Sequence, residues 1–310
     1  MARPTPPLRI AALLTLVAGT ALAGCAAFNH TGPDSPVAQA TLQALSPRPR
    51  VALVLSSGGP RGYAHIGVMR VLEEAGIEID LVVGTSVGAL LGVFWADGRS
   101  AAEIDALSQD GGPLTLFDIS PFADRGWIHG QRLQDYVNTG LGQRPLERLP
   151  RRVVVGATRR ADKAPVFFTR GNAGVAVRAS SAVPGILSPV GIEGTEYEDG
   201  DESLPLAVRA ARQAGAQFVI AVDVTPQLAT APADTSPAQR DRIARRHARI
   251  APEAAQADFL LDAGLPWAAS PLPSYFRLAR STGEASARRQ LPALLARLQA
   301  QGLAVRQSTP

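Results

Sequence analysis

The 310-residue sequence holds one cysteine, one lysine and four histidines, and each shortage removes a class of chemistry. A lone cysteine, Cys25, leaves no disulfide within the chain and no cysteine-based metal cluster. The lone lysine, Lys163, lies away from the glycine-rich turns, so a phosphate loop of the Gly-Lys-Ser/Thr type is absent from them. None of His30, His65, His129 and His247 follows a late strand-like run, where the histidine base of a serine triad belongs. The one long apolar run is N-terminal, and no internal repeat is visible. Formal net charge is +4, with arginines scattered except for Arg240, Arg242, Arg245, Arg246 and Arg249. That cluster suits phosphate or anionic lipid, but it reads more simply as a solvated helix face, and no nucleic-acid partner is expected.

What is present begins with a targeting pattern. Arg3 and Arg9 precede an apolar run over residues 10–23, too short for a spanning helix but the right length for a secretory signal. It ends in Leu22-Ala23-Gly24-Cys25, which resembles a bacterial lipobox in which Cys25 becomes the lipidated first residue. Residues 1–24 are therefore expected to be a lipoprotein signal peptide. Residues 25–50, with Pro33, Pro36, Pro47 and Pro49, are expected to be a flexible tether to a membrane surface. With no aspartate after Cys25, a Gram-negative host would place the protein at the outer membrane. Residues 51–310 are then the folded domain, with a motif-bearing core at 51–225 and an extension at 226–310.

Within that domain, short apolar runs alternate with helical patterns. Strands are expected at 51–55, 79–83, 152–158, 165–169, 190–196 and 217–224, with a further one at 258–262. Helices are expected at 62–75, 87–96, 101–107, 130–141, 173–181 and 204–214, and a last one at 288–301. Such alternation specifies an α/β fold with a mainly parallel central sheet covered on both faces. Ligands of such sheets bind at the carboxyl ends of the strands.

Two glycine clusters fall at those ends. In Gly58-Gly59-Pro60-Arg61-Gly62 the spacing is not that of a dinucleotide fingerprint, and the proline removes an amide donor. Gly84-Thr85-Ser86-Val87-Gly88 has the G-x-S-x-G spacing of a nucleophile elbow, in which glycines on either side let strand and helix pass closely. Ser86 then lies at a helix N-terminus, whose free amides favour a developing oxyanion. Backbone amides of Gly58, Gly59, Arg61 and Gly62 are candidates for an oxyanion hole. With no well-placed histidine, the candidate base is Asp199 in Tyr197-Glu198-Asp199-Gly200-Asp201, where Gly200 permits a sharp turn.

Taken in order, Gly-Gly-x-Arg-Gly (58–62), Gly-x-Ser-x-Gly (84–88), Arg178-Ala179-Ser180-Ser181-Ala182-Val183-Pro184-Gly185 and Asp199-Gly200 resemble the patatin-like phospholipases, especially their bacterial members, over residues 50–225. The resemblance implies a three-layer α/β/α patatin-like fold, Ser86 as nucleophile, Asp199 as its proton acceptor and the 58–62 loop as the oxyanion hole. It implies a phospholipid, lysophospholipid or other fatty acyl ester as substrate, and neither metal nor organic cofactor. One departure stands out: Asp201 occupies a position where the family usually has glycine or alanine, and a second carboxylate there is expected to raise the pKa of Asp199 or to face solvent. Two other readings remain open, a Ser86-Asp199-His247 esterase and a non-catalytic lipid-binding lipoprotein.

Overall fold

The computed structural model describes residues 29–109 and 113–303, so the signal segment and Cys25 lie outside the described residues. Three strands made almost wholly of apolar residues form its centre: β3 (Val51–Leu55), β4 (Leu81–Thr85) and β9 (Phe218–Asp223), every residue of which is buried. Side chains alternate between the two faces of a strand, and the packing follows that alternation. Leu53, Leu55, Val82, Ile220 and Val222 point to one layer, which contains α1 (Ala64–Glu74), α2 (Val87–Ala96) and α5 (Ala173–Ser180). Ala52, Val54, Leu81, Val83, Val219 and Ala221 point to the other, where α6 (Val208–Gln213) and Ile250 of α7 (Pro237–Ala254) pack. The result is the expected α/β/α sandwich.

The sheet is parallel at its centre and mixed at one side. The strand β10 (Phe259–Asp262) pairs with β9, β9 with β3, β3 with β4, and β4 with β5 (Arg152–Arg159), all parallel. Beyond them β6 (Ala164–Phe168) pairs antiparallel with β5 from Val155 to Arg159 and so occupies one edge of its C-terminal half. The other edge carries β4 up to the Thr85↔Gly156 pair and then β8 (Thr195–Glu198), antiparallel, at Thr158↔Glu198. Two strand ends therefore meet head-on at Ala157. Ser86 follows one of them and Asp199 the other.

Three expectations are corrected. Residues 190–196 form a hairpin, not one strand: β7 (Val190–Ile192) turns into β8 through Glu193 and Gly194, with φ of 48° and 80°, as a two-residue turn with both φ positive requires. Residues 29–50 are not a free tether. The short β1 (Asn29–His30) runs parallel to β7, β2 (Ala38–Gln39) pairs with β6, and Leu42 and Leu45 pack beside the α6 layer, with the Leu45 amide donating to Ala214 O at 2.9 Å. Prolines that pre-set extended backbone suit docking along a sheet edge as well as they suit a linker. Last, the C-terminal helix α8 (Pro273–Ala300) begins 15 residues before the expected 288. Its first half meets α1 through small residues, not a leucine stripe: a Cβ on Gly283 would lie 2.3 Å from Ala64 O, and one on Gly67 2.2 Å from Arg280 O.

Candidate active site

Ser86 sits between the end of β4 and the start of α2 with φ 55° and ψ −123°, a conformation side chains rarely adopt. Strain of this kind costs on the order of 1–3 kcal/mol and persists only where the surroundings fix it. Here they do. A Cβ on Gly84 would meet Gly88 O at 2.4 Å, and one on Gly88 would meet Leu55 O at 2.4 Å, so the two flanking glycines are what let helix and strand touch. The Ser86 amide donates to Ser180 Oγ at 2.7 Å, and Ser180 Oγ in turn donates to Gly156 O at 2.6 Å, tying the turn to β5 through α5.

Asp199 arrives from β8 and is fixed at both ends. Its amide donates to Ala182 O at 2.9 Å, and its carbonyl accepts from Thr158 Oγ1 at 2.9 Å. Gly200 is required behind it, because a Cβ there would lie 2.5 Å from Thr85 Cγ2 and 2.6 Å from Gly156 O. Ser86 Oγ donates to Asp199 Oδ2 at 2.7 Å, while Asp199 Oδ1 accepts the Asp201 amide at 2.7 Å. Burial pushes the Asp199 carboxyl up to about 7; the Ser86 hydroxyl and the charge of Arg246 pull it back, and Glu202 and Glu198 push it further up. A carboxylate of ordinary acidity is thereby tuned to accept a proton near neutral pH.

Asp201 does not cause that shift. It forms an ion pair with Arg246 and accepts a hydrogen bond from Ser57 Oγ, with Arg249 at 3.7 Å from its other oxygen. Arg246 is buried, not on a solvated face: its Nη2 donates to Ser57 O at 2.7 Å, its Nη1 to Ser57 Oγ at 3.0 Å and its Nε to Thr225 Oγ1 at 2.8 Å. The sequence did contain a signal for this, since Arg246 stands three residues after Ile243 and four before Ile250, on the buried stripe of α7.

Ser57 leads into the first glycine cluster, whose residues differ in what they do. Gly58 packs on Val224, where a Cβ would come within 2.5 Å; Gly59 has φ 53° in open space. From Gly59 the chain enters a single 3₁₀ turn in which the Arg61 amide donates to Gly58 O at 3.2 Å, which takes that amide out of the expected set of free donors. The Arg61 guanidinium turns away to Trp267 O at 2.7 Å. Gly62 serves packing: a Cβ on it would strike the Val87 side chain at 2.2 Å.

The histidines are elsewhere. His65 is wholly buried, its Nε2 2.9 Å from Ser56 O, and burial lowers its pKa to about 4, so it is neutral. His247 Nε2 lies 3.0 Å from Pro226 O, and His30 pairs with Asp34 at 3.3 Å. His129 offers its carbonyl to Arg178 at 2.6 Å. Ser86 opens instead into an apolar cavity of about 170 Å³, lined by Pro60, Tyr63, Leu90, Phe117, Leu187, Phe276 and others. Tyr63 and Phe276 stack there with centroids 4.2 Å apart. A narrower recess behind Tyr63 and Leu90 runs on toward Phe94, Ile104 and Tyr136.

A model of the family described as patatin-like phospholipase matches residues 53–207, half of the chain. The chain belongs to that family. Among curated patatin-like relatives, an uncharacterized NTE family protein of Mycobacterium tuberculosis is 34% identical over 197 residues, which cover 62% of this chain and 54% of that protein. A lysophospholipase of Neurospora crassa is 32% identical over 180 residues, 56% of this chain and 12% of that protein. The chain thus spans about half the length of the mycobacterial relatives it matches. In fold it is similar to VipD from Legionella pneumophila, with a TM-score of 0.52 at 10% identity, covering 86% of this chain and 70% of that one. The family match ends before Arg246, so the arginine that reaches the patatin-like site lies outside it.

Proposed function

We propose that the protein is a serine lipid acyl hydrolase that works through Ser86 and Asp199. The observation that carries this reading is the 2.7 Å contact between the Oγ of a serine in a strained elbow and a buried carboxylate raised to about 7. Ser86 Oγ attacks the ester carbonyl while its proton passes to Asp199 Oδ2. The amides of Gly58 and Gly59, at the open start of the loop, receive the oxyanion. As the tetrahedral intermediate collapses, Asp199 returns the proton to the departing alcohol and leaves an acyl group on Ser86. Water then gives a proton to the same carboxylate and attacks the acyl-enzyme, and Asp199 returns that proton to Ser86 Oγ as the fatty acid is released. Neither metal nor organic cofactor takes part in these steps.

The substrate class follows from the cavity beside Ser86, whose walls suit an alkyl chain, with the recess toward Phe94 continuing its path. A phospholipid, a lysophospholipid or another fatty acyl ester fits that shape. Resemblance of Leu22-Ala23-Gly24-Cys25 to a lipobox adds a lipid anchor at Cys25 and a place in the cell envelope, at the outer membrane in a Gram-negative host. The triad alternative is disfavoured because His247 is held at Pro226. The non-catalytic alternative loses its motive, because Asp201 is neutralised by Arg246.

A fluorophosphonate probe tests the assignment. The wild-type protein should be labelled on Ser86, and Ser86→Ala should be unlabelled and inactive while remaining folded. Undiminished ester hydrolysis by Ser86→Ala would end the assignment. For the anchor, fatty-acid labelling and membrane fractionation should both be lost in Cys25→Ser, and unlabelled wild-type protein wholly in the soluble fraction would refute it.

A further inference from the structure

Large apolar side chains left in solvent are concentrated at the mouth of the Ser86 cavity. Nine are exposed among the described residues; Ile186 and Leu272 neighbour the wall residues Leu187 and Pro271 in sequence, and Ile119, Phe122 and Trp127 stand on a hairpin joined to Ile186 and Leu187. Residues 119–128 form a small hairpin, with Ile119 bridged to Ile128 and the Ser120 amide donating to Trp127 O at 2.8 Å. Its base is tied to the wall, since the Trp127 amide donates to Ile186 O at 2.8 Å and Ile128 bridges Leu187, which lines the cavity. Phe122, 87% exposed, is near the tip, and Trp127 is 69% exposed. Across the mouth, Leu272 follows Pro271, another wall residue. Arg125 on the hairpin is neutralised by Asp124 and Glu196, so charge does not keep the patch in water.

The end of the described chain points to the same place. The strand β1, where the described chain begins, pairs parallel with β7, with Asn29 opposite Gly191, four residues after Leu187 of the cavity wall. Cys25 is four residues upstream of Asn29, a reach of at most about 14 Å.

The geometry points to a membrane-docking face: the 119–128 hairpin, with Ile186 and Leu272, inserts its apolar side chains into a lipid bilayer and sets the cavity mouth against the acyl chains. This rests on the acyl-hydrolase and lipid-anchor readings above for its purpose, though the insertion itself is measured without either. Tryptophan is favourable at the depth of lipid headgroups because its ring is apolar while its N–H can still reach a polar partner, and phenylalanine and aliphatic side chains gain by leaving water. Docking in this pose lets an acyl ester pass from bilayer to Ser86 without crossing water, whereas an exposed patch of this composition facing solvent would cost its hydrophobic burial.

The test uses the full chain carrying Ser86→Ala, so that no hydrolysis alters the membrane, mixed with vesicles of brominated phosphatidylcholine. Bromines quench tryptophan by contact, and the difference in emission between this protein and its Trp127→Phe counterpart isolates Trp127 from Trp95 and Trp267. Strong quenching of Trp127 is expected; an unquenched Trp127 on vesicle-bound protein overturns the proposal. In the Ser86 protein, Phe122→Ser with Trp127→Ser should slow hydrolysis of vesicle phospholipid about tenfold, the weight of two aromatic anchors, and leave a soluble short-chain ester unaffected. Equal rates on vesicles would count against docking. A wild-type dimer in sedimentation that becomes monomeric in the double variant would instead assign the patch to a second copy of the chain. Loss of the soluble-ester activity in wild type would sink the hydrolase reading and leave the quenching result standing.

Discussion

Arg246 of α7 reaches across the sheet ends to Asp201, two residues beyond Asp199, and holds Ser57, one residue before the first glycine cluster. One buried cation thus braces both the loop proposed to receive the oxyanion and the loop that carries the proposed base, and its charge lowers the Asp199 pKa. Removing it should therefore raise that pKa. Arg246→Met is expected to move the acidic limb of kcat/KM to higher pH and to cut the rate about tenfold or more through the loosened loop. Adding Asp201→Ala to Arg246→Met should cost less than the two changes summed, because a lone buried charge is worse than none. A pH–rate profile of the three variants checks this, and additive losses with an unmoved limb would contradict it.

The raised pKa of Asp199 also ties stability to pH. Its folded value of about 7 lies above the ordinary 3.8, so between these values the folded state holds a proton that the unfolded state releases. The associated stability is complete below pH 3.8 and is lost as pH rises through about 7. Asp199→Asn cannot ionise, so its melting temperature relative to wild type should climb from pH 5 to pH 8. A constant difference across that range would mean that Asp199 titrates normally.

Ser180→Ala removes the acceptor of the Ser86 amide and the donor to Gly156 O. A buried amide without a partner costs about 1–3 kcal/mol, and the elbow should lose its fixed geometry. The expected result is a lower melting temperature with a fall mainly in kcat, and Ser180→Thr, which keeps the hydroxyl, should recover part of both.

The glycines around the site should separate by mechanism. Gly88→Ala drives a methyl group to within 2.4 Å of Leu55 O and should prevent folding or destabilise by about 3 kcal/mol or more. Gly59→Ala meets nothing within 4 Å and pays only for a positive φ, about 1–2 kcal/mol. Denaturation midpoints of the two proteins test the ordering.

The central strands, the elbow and the Asp199 turn were legible in the sequence because their signals are local: continuous apolar runs, G-x-S-x-G and Asp-Gly. Ser180 was visible as part of a motif, but its double hydrogen bond depends on α5 and β5 being brought together. Arg246 was masked by its four neighbouring arginines, and only its phase with Ile243 and Ile250 marks it as buried. The contact between α8 and α1 is beyond any window pattern, because residues more than 200 positions apart in sequence meet through absent side chains, Gly67 admitting Arg280 O and Gly283 admitting Ala64 O. Asp201 was expected to raise the Asp199 pKa or to face solvent; it pairs with Arg246 instead, and burial raises the Asp199 carboxyl to about 7, where an imidazole would also titrate. Acidity alone therefore no longer separates a carboxylate base from a histidine.

Substitution does separate them. The most direct measurement is kcat/KM on one lysophospholipid for Asp199→Asn and His247→Ala, each verified as folded. With Asp199 as the base, Asp199→Asn should lose about a hundred- to ten-thousand-fold, and His247→Ala, whose ring is held at Pro226, should stay close to wild type. A loss in His247→Ala as deep as that in Ser86→Ala, with Asp199→Asn still active, would contradict the dyad.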